Sequence, residues 1–225
     1  MVKLVLFDID GTLIQTGGAG VRAFGRAFAM EFQIPNGTAH LSFAGRTDTG
    51  LVRELFAHHR IADTPENARR FFDCYVFWLD HLLGEHRGRM CPGTREFLAQ
   101  LAALPAPPRL GLLTGNIRLG AEIKLRHHAL WEAFETGAFG DDHHDRNNLA
   151  RLARQRGHRH LRESLRDDEI LVIGDTPLDI ECARAINARV LAVATGGAKL
   201  PDLAAHRPDW AVEDLTQISA ADVCG

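Results

Sequence analysis

Residues 4–13 read Leu4-Val5-Leu6-Phe7-Asp8-Ile9-Asp10-Gly11-Thr12-Leu13, an apolar run that ends in two carboxylates and a Gly-Thr turn. A short apolar run bounded by a turn signal is typical of a buried strand in a parallel sheet. Open α/β sheets bind their ligands at the carboxyl ends of the strands, where Asp8 and Asp10 are expected to lie. Two nearby carboxylates repel each other, so the pair requires a cation or a shared proton unless it is only a solvated strand end.

Composition places the chain among ordinary globular proteins. It has 225 residues, of which 45% are hydrophobic and 24% charged, and its net charge is −3. These values predict one core domain with an insertion and favour neither a nucleic-acid-binding nor a membrane-binding surface. The cysteines form no C-x-x-C pair, so a disulfide framework or zinc ribbon is not expected and a cytoplasmic location is predicted. The cysteines are Cys74, Cys91, Cys182 and Cys224.

Further apolar runs like the first recur along the chain, separated by helical patterns. They are 110–113, 170–173, 190–194 and, less clearly, 210–212; the helical patterns lie at 118–128, 147–156, 177–187 and 201–206. Alternating strands and helices predict an α/β fold with a doubly wound parallel sheet.

Residues 15–90 show helix patterns and no convincing strand. Thr64-Pro65-Glu66 is a strong helix start, and an aromatic stripe follows that indicates the core of a helix bundle. The sequence therefore predicts a core formed by residues 1–14 and 91–225, interrupted by an all-helical insertion at 15–90. Hinges are expected at Gly17–Gly20 and Arg89–Pro92.

Three of the predicted strands end in different polar groups. The first ends in Asp8 and Asp10, the second in Thr114-Gly115-Asn116, and the third in the stretch from Asp175 to Asp179. Parallel strands would bring these groups to one edge, where the acidic oxygens suit Mg²⁺. The Thr114 hydroxyl and the backbone N–H groups nearby, including those of Gly11, Thr12, Gly115 and Asn116, are candidates for holding phosphate oxygens.

These motifs resemble those of the haloacid dehalogenase-like hydrolase superfamily, in particular its phosphoglycolate-phosphatase-like branch with a helical cap. Asp8-Ile9-Asp10-Gly11-Thr12-Leu13 matches the first motif, Thr114 in Leu-Leu-Thr-Gly-Asn the second, and Gly174-Asp175-Thr176-Pro177-Leu178-Asp179 the fourth. The resemblance covers the whole chain and implies a Rossmann-like core with an inserted cap.

The resemblance also implies a role for each matched residue. Asp8 would be the nucleophile that forms an aspartyl-phosphate, and Asp10 the general acid and base. Mg²⁺ would be bound by Asp8, the Asp10 backbone carbonyl and Asp175, with Asp179 in support. Thr114 would bind the phosphoryl oxygens.

The third motif is where the chain departs from the family. A lysine is expected before the fourth motif to neutralise the nucleophile and the phosphate, but residues 140–147 contain none. Lys124, in the helix after Thr114, is the favoured replacement, and Arg146 is the alternative, although its planar fork is not equivalent to an ammonium group.

The resemblance predicts an Mg²⁺-dependent phosphatase acting on a small phosphorylated metabolite, with phosphoglycolate weakly favoured. A phosphomutase acting on a phosphosugar and a catalytically silent binding protein are the alternatives, whereas a dehalogenase would not need Asp10. Arg46 is a candidate substrate contact from the cap, although Gly45-Arg46-Thr47-Asp48 is equally readable as an ordinary helix start. Oligomeric state is not predicted.

Two other polar stretches are interpreted as structural. His143-His144 lacks a third ligand at metal-site spacing, so a solvated loop or hydrogen bonds that shape the site are expected. The arginines between Arg151 and Arg166 lack interleaved aromatics, so they indicate a solvated helix face and not a nucleic-acid surface.

Overall fold

The computed structural model describes residues 1–85 and 88–225. The strands are β1 (Leu4–Phe7), β2 (Ile14–Gln15), β3 (Arg89–Met90), β4 (Arg109–Leu113), β5 (Thr136–Ala138), β6 (Ile170–Gly174), β7 (Arg189–Val193) and β8 (Trp210–Val212). The α-helices are α1 (Ala19–Phe32), α2 (Asp48–His59), α3 (Pro65–Glu85), α4 (Thr94–Ala102), α5 (Arg118–Arg126), α6 (Arg146–Leu161), α7 (Pro177–Arg184), α8 (Leu200–Ala205) and α9 (Ala220–Cys224). Strands and helices alternate through the core, as the apolar runs predict.

Six strands form one parallel sheet in the order β5-β4-β1-β6-β7-β8. Strand β1 lies near its centre, with Leu6 opposite Gly111 of β4 and Val172 of β6. The chain reverses direction across the sheet on either side of β1, which is the arrangement of a doubly wound, Rossmann-like fold. The carboxyl ends of β1, β4 and β6 consequently lie side by side.

Both faces of the sheet are buried. Val5 and Phe7 belong to the apolar cluster on one face, and Leu4 and Leu6 to the cluster on the other. This alternation follows from the two-residue period of a strand, and it explains why β1 is apolar at every position. Fully burying each of these side chains contributes roughly 1.5–3 kcal/mol to folding.

The insertion is a helical cap built from α1, α2 and α3. Its core contains Phe24, Phe28 and Phe71, and the rings of Phe24 and Phe71 meet edge to face at 4.6 Å. The aromatic stripe is therefore the core of a helix bundle, as predicted. Neither α3, the longest of these helices with 21 residues, nor any other helix in the described ranges has an apolar stretch long enough to cross a membrane. The exact bounds of the cap, 15–90, stay a prediction.

A short antiparallel ribbon joins the cap to the core. Ile14 of β2 pairs with Met90 of β3, and Gln15 pairs with Arg89. The expectation of no strand within 15–90 is wrong for these end residues, because a two-residue strand is too short to show any periodicity. Strand β5 was missed for the same reason, and helix α6 extends beyond the predicted 147–156.

Candidate active site at the strand ends

The carboxyl ends of β1, β4 and β6 bring the predicted polar groups together. The backbone N–H of Asp8 still donates to Ile173 of β6, at 2.9 Å, and that of Thr114 donates to Ala138 of β5, at 3.2 Å. Asp175 follows β6 directly. Because the sheet fixes the backbone up to the last residue of each strand, the first residues beyond it are held in place.

Asp8 is buried and lies against Arg146. An Arg146 Nη2 atom is 3.1 Å from Asp8 Oδ1, and the same nitrogen donates to the carboxylate of Asp179. Burial raises the pKa of Asp8 to about 6, an effect that the Arg146 charge opposes. Oδ2 of Asp8 accepts no hydrogen bond from residues 1–85 or 88–225. One carboxylate oxygen is thus held by a cation, and the other is unengaged.

Arg146 is itself held at the start of α6. The side chain of Asp145 caps this helix by accepting from the N–H groups of Asn147 and Asn148, at 2.7 and 3.1 Å. Arg146 also donates to the backbone carbonyl of Leu113, at 3.3 Å. Its Nε is the one buried side-chain nitrogen or oxygen in the described part of the chain that has no hydrogen-bond partner. The guanidinium is therefore fixed on its Nη side, and one donor is left unsatisfied.

Asp10 belongs to a second polar network. Lys124 Nζ is 2.6 Å from Asp10 Oδ2, and Asn116 Nδ2 donates to the same oxygen at 2.8 Å. Lys124 also donates to Asn116 Oδ1 at 2.5 Å, and Asn116 Nδ2 contacts Thr114 Oγ1 at 2.9 Å. Asp10 is half-buried, whereas Lys124 is buried. The side chains of Asp10, Lys124 and Asn116 therefore all contact one another, and Asn116 also contacts Thr114.

The two candidate cations lie beside different aspartates. The cation that contacts Asp8 is Arg146. Lys124 contacts Asp10, because α5 begins beyond Asn116 and carries the lysine to the Asp10 side of the site. Which of the two fills the role of the third-motif lysine stays a prediction.

Three carboxylates could hold a metal ion. Oxygens of Asp8, Asp175 and Asp179 lie within 4.8 Å of one another. Burial, together with the charges of Asp179 and Asp8, raises the pKa of Asp175 well above its usual range, and a divalent cation would relieve that repulsion. Thr12 Oγ1 donates to Asp175 Oδ1 at 3.3 Å. An all-oxygen donor set of this kind fits Mg²⁺.

A glycine keeps the space beside Asp175 clear. Gly11 has a φ of +85°, and a Cβ atom there would lie 2.4 Å from Asp175 Oδ2. Only glycine adopts this positive φ without strain and also leaves room for the Asp175 carboxylate. Asp179 is more committed, since it also accepts from Thr176 N and Oγ1, at 3.0 and 2.8 Å, as part of the α7 capping box. Because these hydrogen bonds occupy one oxygen of Asp179, this residue would only support a metal ion held by Asp8 and Asp175.

The cap touches the core at the loop before α2. Asp48 N–H donates to the Gly115 carbonyl at 2.7 Å, and Thr47 caps α2 by accepting from Gly50 N–H at 3.1 Å. The Arg46 side chain lines the cavity above the site and forms an ion pair with Glu54 at 2.6 Å. Thr47 therefore caps the helix while Arg46 lines the cavity, and contact between Arg46 and a substrate stays a prediction.

A cavity of about 430 Å³ separates the cap from the strand ends. Its core side carries Asp8, Asp10 and Asp175 together with both cations described above. Its cap side is mostly apolar and aromatic. The cap-side lining includes Val21, Phe24, Phe43, Leu51 and Tyr75.

Asp48, Glu54 and Tyr75 were not found by sequence reasoning. Asp48 is buried in the cap, and its Oδ2 accepts from the backbone N–H of Ile117 at 2.9 Å. Burial raises its pKa to about 6. Tyr75 belongs to the aromatic stripe, so the sequence pattern gives no sign of a role for its hydroxyl group. An acid directly after an N-cap threonine is the one signal that could have drawn attention to Asp48.

His143 and His144 shape a loop, as expected. His143 Nδ1 accepts from Asp145 N–H at 2.9 Å, and the His144 carbonyl accepts from Thr47 Oγ1 at 2.7 Å. His144 Nδ1 lies 2.9 Å from Arg53 Nη1. The pair thus joins the start of α6 to the cap.

Comparison with known proteins gives one family and one fold. A family model described as haloacid dehalogenase-like hydrolase matches residues 5–193. No curated protein sequence matches the chain.

Solved structures share the whole architecture at low sequence identity. CbbY from Rhodobacter sphaeroides in complex with phosphate has a TM-score of 0.76 and 19% identity, with 99% of each chain covered. A mutant of the same protein in complex with xylulose-(1,5)bisphosphate has a TM-score of 0.77 and 18% identity, again with 99% of each chain covered. A predicted phosphoglycolate phosphatase from Haemophilus somnus has a TM-score of 0.70 and 19% identity, with 96% of each chain covered. At these identities, the likeness establishes the fold.

Proposed function

Because this chain belongs to the haloacid dehalogenase-like hydrolases, we propose that it is an Mg²⁺-dependent phosphatase that hydrolyses a small phosphomonoester through an aspartyl-phosphate. The observation that carries this proposal is the state of Asp8. It is buried at a strand end, with Oδ1 beside Arg146 and Oδ2 accepting no hydrogen bond from the described residues. A carboxylate that is positioned on one side and open on the other suits attack on phosphorus.

The reaction proceeds in two balanced steps. Asp8 Oδ2 forms a bond to phosphorus as the bond from phosphorus to the ester oxygen breaks, and Asp10 gives that oxygen a proton so that it leaves as an alcohol. Water then attacks the aspartyl-phosphate, Asp10 takes the water's proton, and the Asp8 carboxylate and inorganic phosphate are regenerated. Asp10 must therefore be protonated before the first step and ionised before the second.

Mg²⁺ would be held by Asp8, the Asp10 carbonyl and Asp175, with Asp179 in support. Its charge would reduce the repulsion between the anionic nucleophile and the anionic phosphate. The Thr114 hydroxyl already accepts from Asn116 and retains its own hydrogen, which it would donate to a phosphoryl oxygen. The backbone N–H of Gly115 is a further donor for those oxygens. The N–H groups of Gly11, Thr12 and Asn116, although expected there, already donate to Ile14 O, Ile9 O and Thr114 Oγ1.

The two cations divide the work that the family assigns to one lysine. Arg146 neutralises Asp8 and orients it, while its link to Asp179 holds the guanidinium in place. Lys124, together with Asn116, holds the Asp10 carboxylate in position. This division would let a chain without the usual third-motif lysine place a cation beside each aspartate.

Two alternatives make different predictions. A phosphomutase would share the chemistry of Asp8 but return the phosphoryl group to a sugar, so it would yield an isomerised sugar phosphate instead of inorganic phosphate. The protein of known structure that binds xylulose-(1,5)bisphosphate keeps this alternative open. A catalytically silent binding protein would bind phosphate without turnover.

The deciding experiment measures phosphate release from an aryl phosphate. We expect turnover with Mg²⁺, loss of turnover with excess EDTA, and recovery when Mg²⁺ is restored. Asp8→Asn should abolish turnover while its circular dichroism stays that of the parent protein, whereas the exposed Asp168→Asn serves as the matched control and should keep full activity. Turnover that persists in Asp8→Asn would refute the nucleophile assignment, and no turnover in the parent protein would refute the phosphatase.

A further inference from the structure

The cavity above the site has an unusual balance of surfaces. Within the described residues, the cap contributes an apolar wall and five polar side chains: Gln15, Thr16, Arg46, Asp48 and Tyr75. The Gln15 amide is already engaged, since it donates to the Thr195 carbonyl and accepts from Arg89. The apolar wall is formed by Val21, Phe24, Phe43 and Leu51. A leaving group that fills this space buries carbon against carbon, and it must satisfy the polar side chains or leave them undisturbed.

Each cation that lines the cavity already has a carboxylate partner. Arg46 pairs with Glu54 at 2.6 Å, Lys124 with Asp10 at 2.6 Å, and Arg146 with Asp8 at 3.1 Å. The phosphoryl group of the substrate would meet the last two. A second anionic group on the leaving side would meet only Arg46, whose charge Glu54 already offsets. The described part of the lining therefore provides no uncompensated positive charge for a second anion.

Asp48 adds to this discrimination. It lies on the cap side of the cavity and is held by the Ile117 N–H at 2.9 Å. Asp48 offers a second anion no positive charge, and above its pKa of about 6 its ionised carboxylate repels that anion. Like charges placed together in a poorly hydrated cavity reject a ligand more strongly than the same charges in water.

Tyr75 supplies a donor on the wall of the cavity. Its side chain is 1% exposed and lines the cavity, and no described residue is hydrogen-bonded to its hydroxyl. The hydroxyl oxygen is not among the fully buried unpaired atoms, so it opens onto the cavity. Burial, together with the charges of Asp48 and Asp10, raises the pKa of Tyr75 well above its usual range, so the phenol keeps its proton. A hydroxyl that faces the cavity without a protein partner favours a ligand that brings an acceptor.

We propose, on the basis of the phosphatase function above, that the leaving group is a neutral alcohol with an apolar face and one hydrogen-bond acceptor. Tyr75 donates to that acceptor. Glu54 acts as the selectivity residue, because it occupies the Arg46 guanidinium that would otherwise attract a carboxylate or a second phosphate. Phosphoglycolate and sugar bisphosphates are accordingly poor substrates.

The test compares two aryl phosphates of nearly equal size, 4-(hydroxymethyl)phenyl phosphate and 4-carboxyphenyl phosphate. We expect kcat/KM for the neutral ester to exceed that for the carboxylate ester at least tenfold. Equal values, or a preference for the carboxylate, would overturn the inference and leave the phosphatase standing. Hydrolysis of neither ester would instead refute the proposed function.

Glu54→Gln tests the selectivity residue directly. With Arg46 released, the ratio of the two kcat/KM values should fall at least fivefold through better use of the carboxylate ester. The matched control is Glu31→Gln, which breaks another ion pair of the cap, with Arg70 at 3.1 Å, and should leave the ratio unchanged. A ratio that does not move in Glu54→Gln would refute the role of Glu54.

Tyr75→Phe tests the donor. The ratio of KM for the hydroxymethyl ester to KM for unsubstituted phenyl phosphate should rise about fivefold, the equivalent of a hydrogen bond of about 1 kcal/mol. The two esters share the phenyl group, so a general loosening of the cavity would change both KM values together. An unchanged ratio would show that Tyr75 does not contact the acceptor.

Discussion

Arg146 and Lys124 differ in what their removal would leave behind. Arg146 contacts Asp8 and Asp179, whose side chains are 8% and 1% exposed. The Asp10 carboxylate that Lys124 contacts is 41% exposed, so water can replace the ammonium there. Breaking a buried pair by removing one partner is strongly destabilising, whereas an exposed carboxylate is readily hydrated.

We therefore expect removal of the two cations to have different effects on the stability of the protein. Arg146→Met should lower the free energy of unfolding by about 3–5 kcal/mol in addition to reducing activity. Lys124→Met should leave most of the stability in place while lowering kcat/KM by about 10²-fold, the range associated with a lost acid or base. Urea unfolding and phosphate release measured on the same preparations check this; a larger loss of stability in Lys124→Met would contradict it.

Asp48 predicts a pH-dependent effect on stability. Its pKa is raised from 3.8 to about 6 in the folded state, so the folded protein binds the proton more tightly than the unfolded chain does. The stability that Asp48 contributes is greatest at low pH and is lost as the pH rises from about 4 to about 6.

Asp48→Asn should remove this pH-dependent loss of stability, because an amide does not ionise. Its oxygen still accepts from the Ile117 N–H. Relative to the parent, the variant should gain about 2 kcal/mol of stability between pH 4.5 and pH 7.5, with no further change above pH 7. Urea unfolding at both pH values measures the difference. A difference that is constant with pH would show that Asp48 ionises normally in the folded protein.

The residues that could be predicted from sequence are those that lie next to one another in the chain. Asp8 and Asp10 directly follow an apolar strand, and Asp175 follows another, so the topology of the sheet alone brings them together. The partners of the two cations could not be predicted, since the sequence does not show which aspartate a lysine or an arginine on different helices will reach. Tyr75 was hidden because its ring packs like its aromatic neighbours.

At the scale of elements, the loop before α2 meets the turn after β4 at very close range. A Cβ atom at Gly115 would lie 2.0 Å from the Arg46 carbonyl oxygen, and Asp48 N–H donates to Gly115 at 2.7 Å. The backbones of cap and core therefore touch where a phosphate-binding turn is expected.

Gly115→Ala should push these two segments apart. Since the obstructing atoms are backbone, relief requires movement of the loop, and we expect kcat/KM to fall by about 10²-fold, as for a small misplacement of a catalytic group. Gly84→Ala is the control, because a Cβ atom there meets nothing within 4 Å. Full activity in Gly115→Ala would show that the contact between cap and core is dispensable.

Elements buried on both faces were the easiest to predict. Strands β1 and β6, and β7 after its first residue Arg189, are continuous apolar runs because helices cover both sides of the sheet. Strand β5 has three residues with a glycine in the middle, and β2 and β3 have two each, so their pairing depends on neighbours distant in sequence. Such strands are formed by the tertiary structure and leave no local pattern.

At the scale of the whole molecule, a metal ion at the site would join β1 to β6. Asp8 and Asp175 both extend from the centre of the sheet, so a ligand that binds both stabilises the folded core as a whole. At a Mg²⁺ concentration ten times the Kd, linkage adds about 1.4 kcal/mol to the free energy of unfolding.

We expect Mg²⁺ at that concentration to raise the Tm by about 3–5 °C. Asp175→Asn should abolish the increase, while Asp142→Asn, which removes the carboxylate paired with Arg156 outside the site, should retain it. Thermal unfolding followed by circular dichroism measures both. An equal increase in Asp175→Asn would place the stabilising ion elsewhere.

The β2–β3 ribbon has a consequence for how the protein family can diversify. The two chain segments that connect the core to the cap are paired with each other where they leave the core. Ile14 pairs with Met90, and Gln15 pairs with Arg89. An inserted segment whose first and last residues already lie side by side imposes no spacing on the sheet below it. A segment of different length or helix number could replace α1 to α3 at this position without altering β1 or its carboxylates, so the surface that covers the site can change through evolution while the carboxylates beneath it are kept.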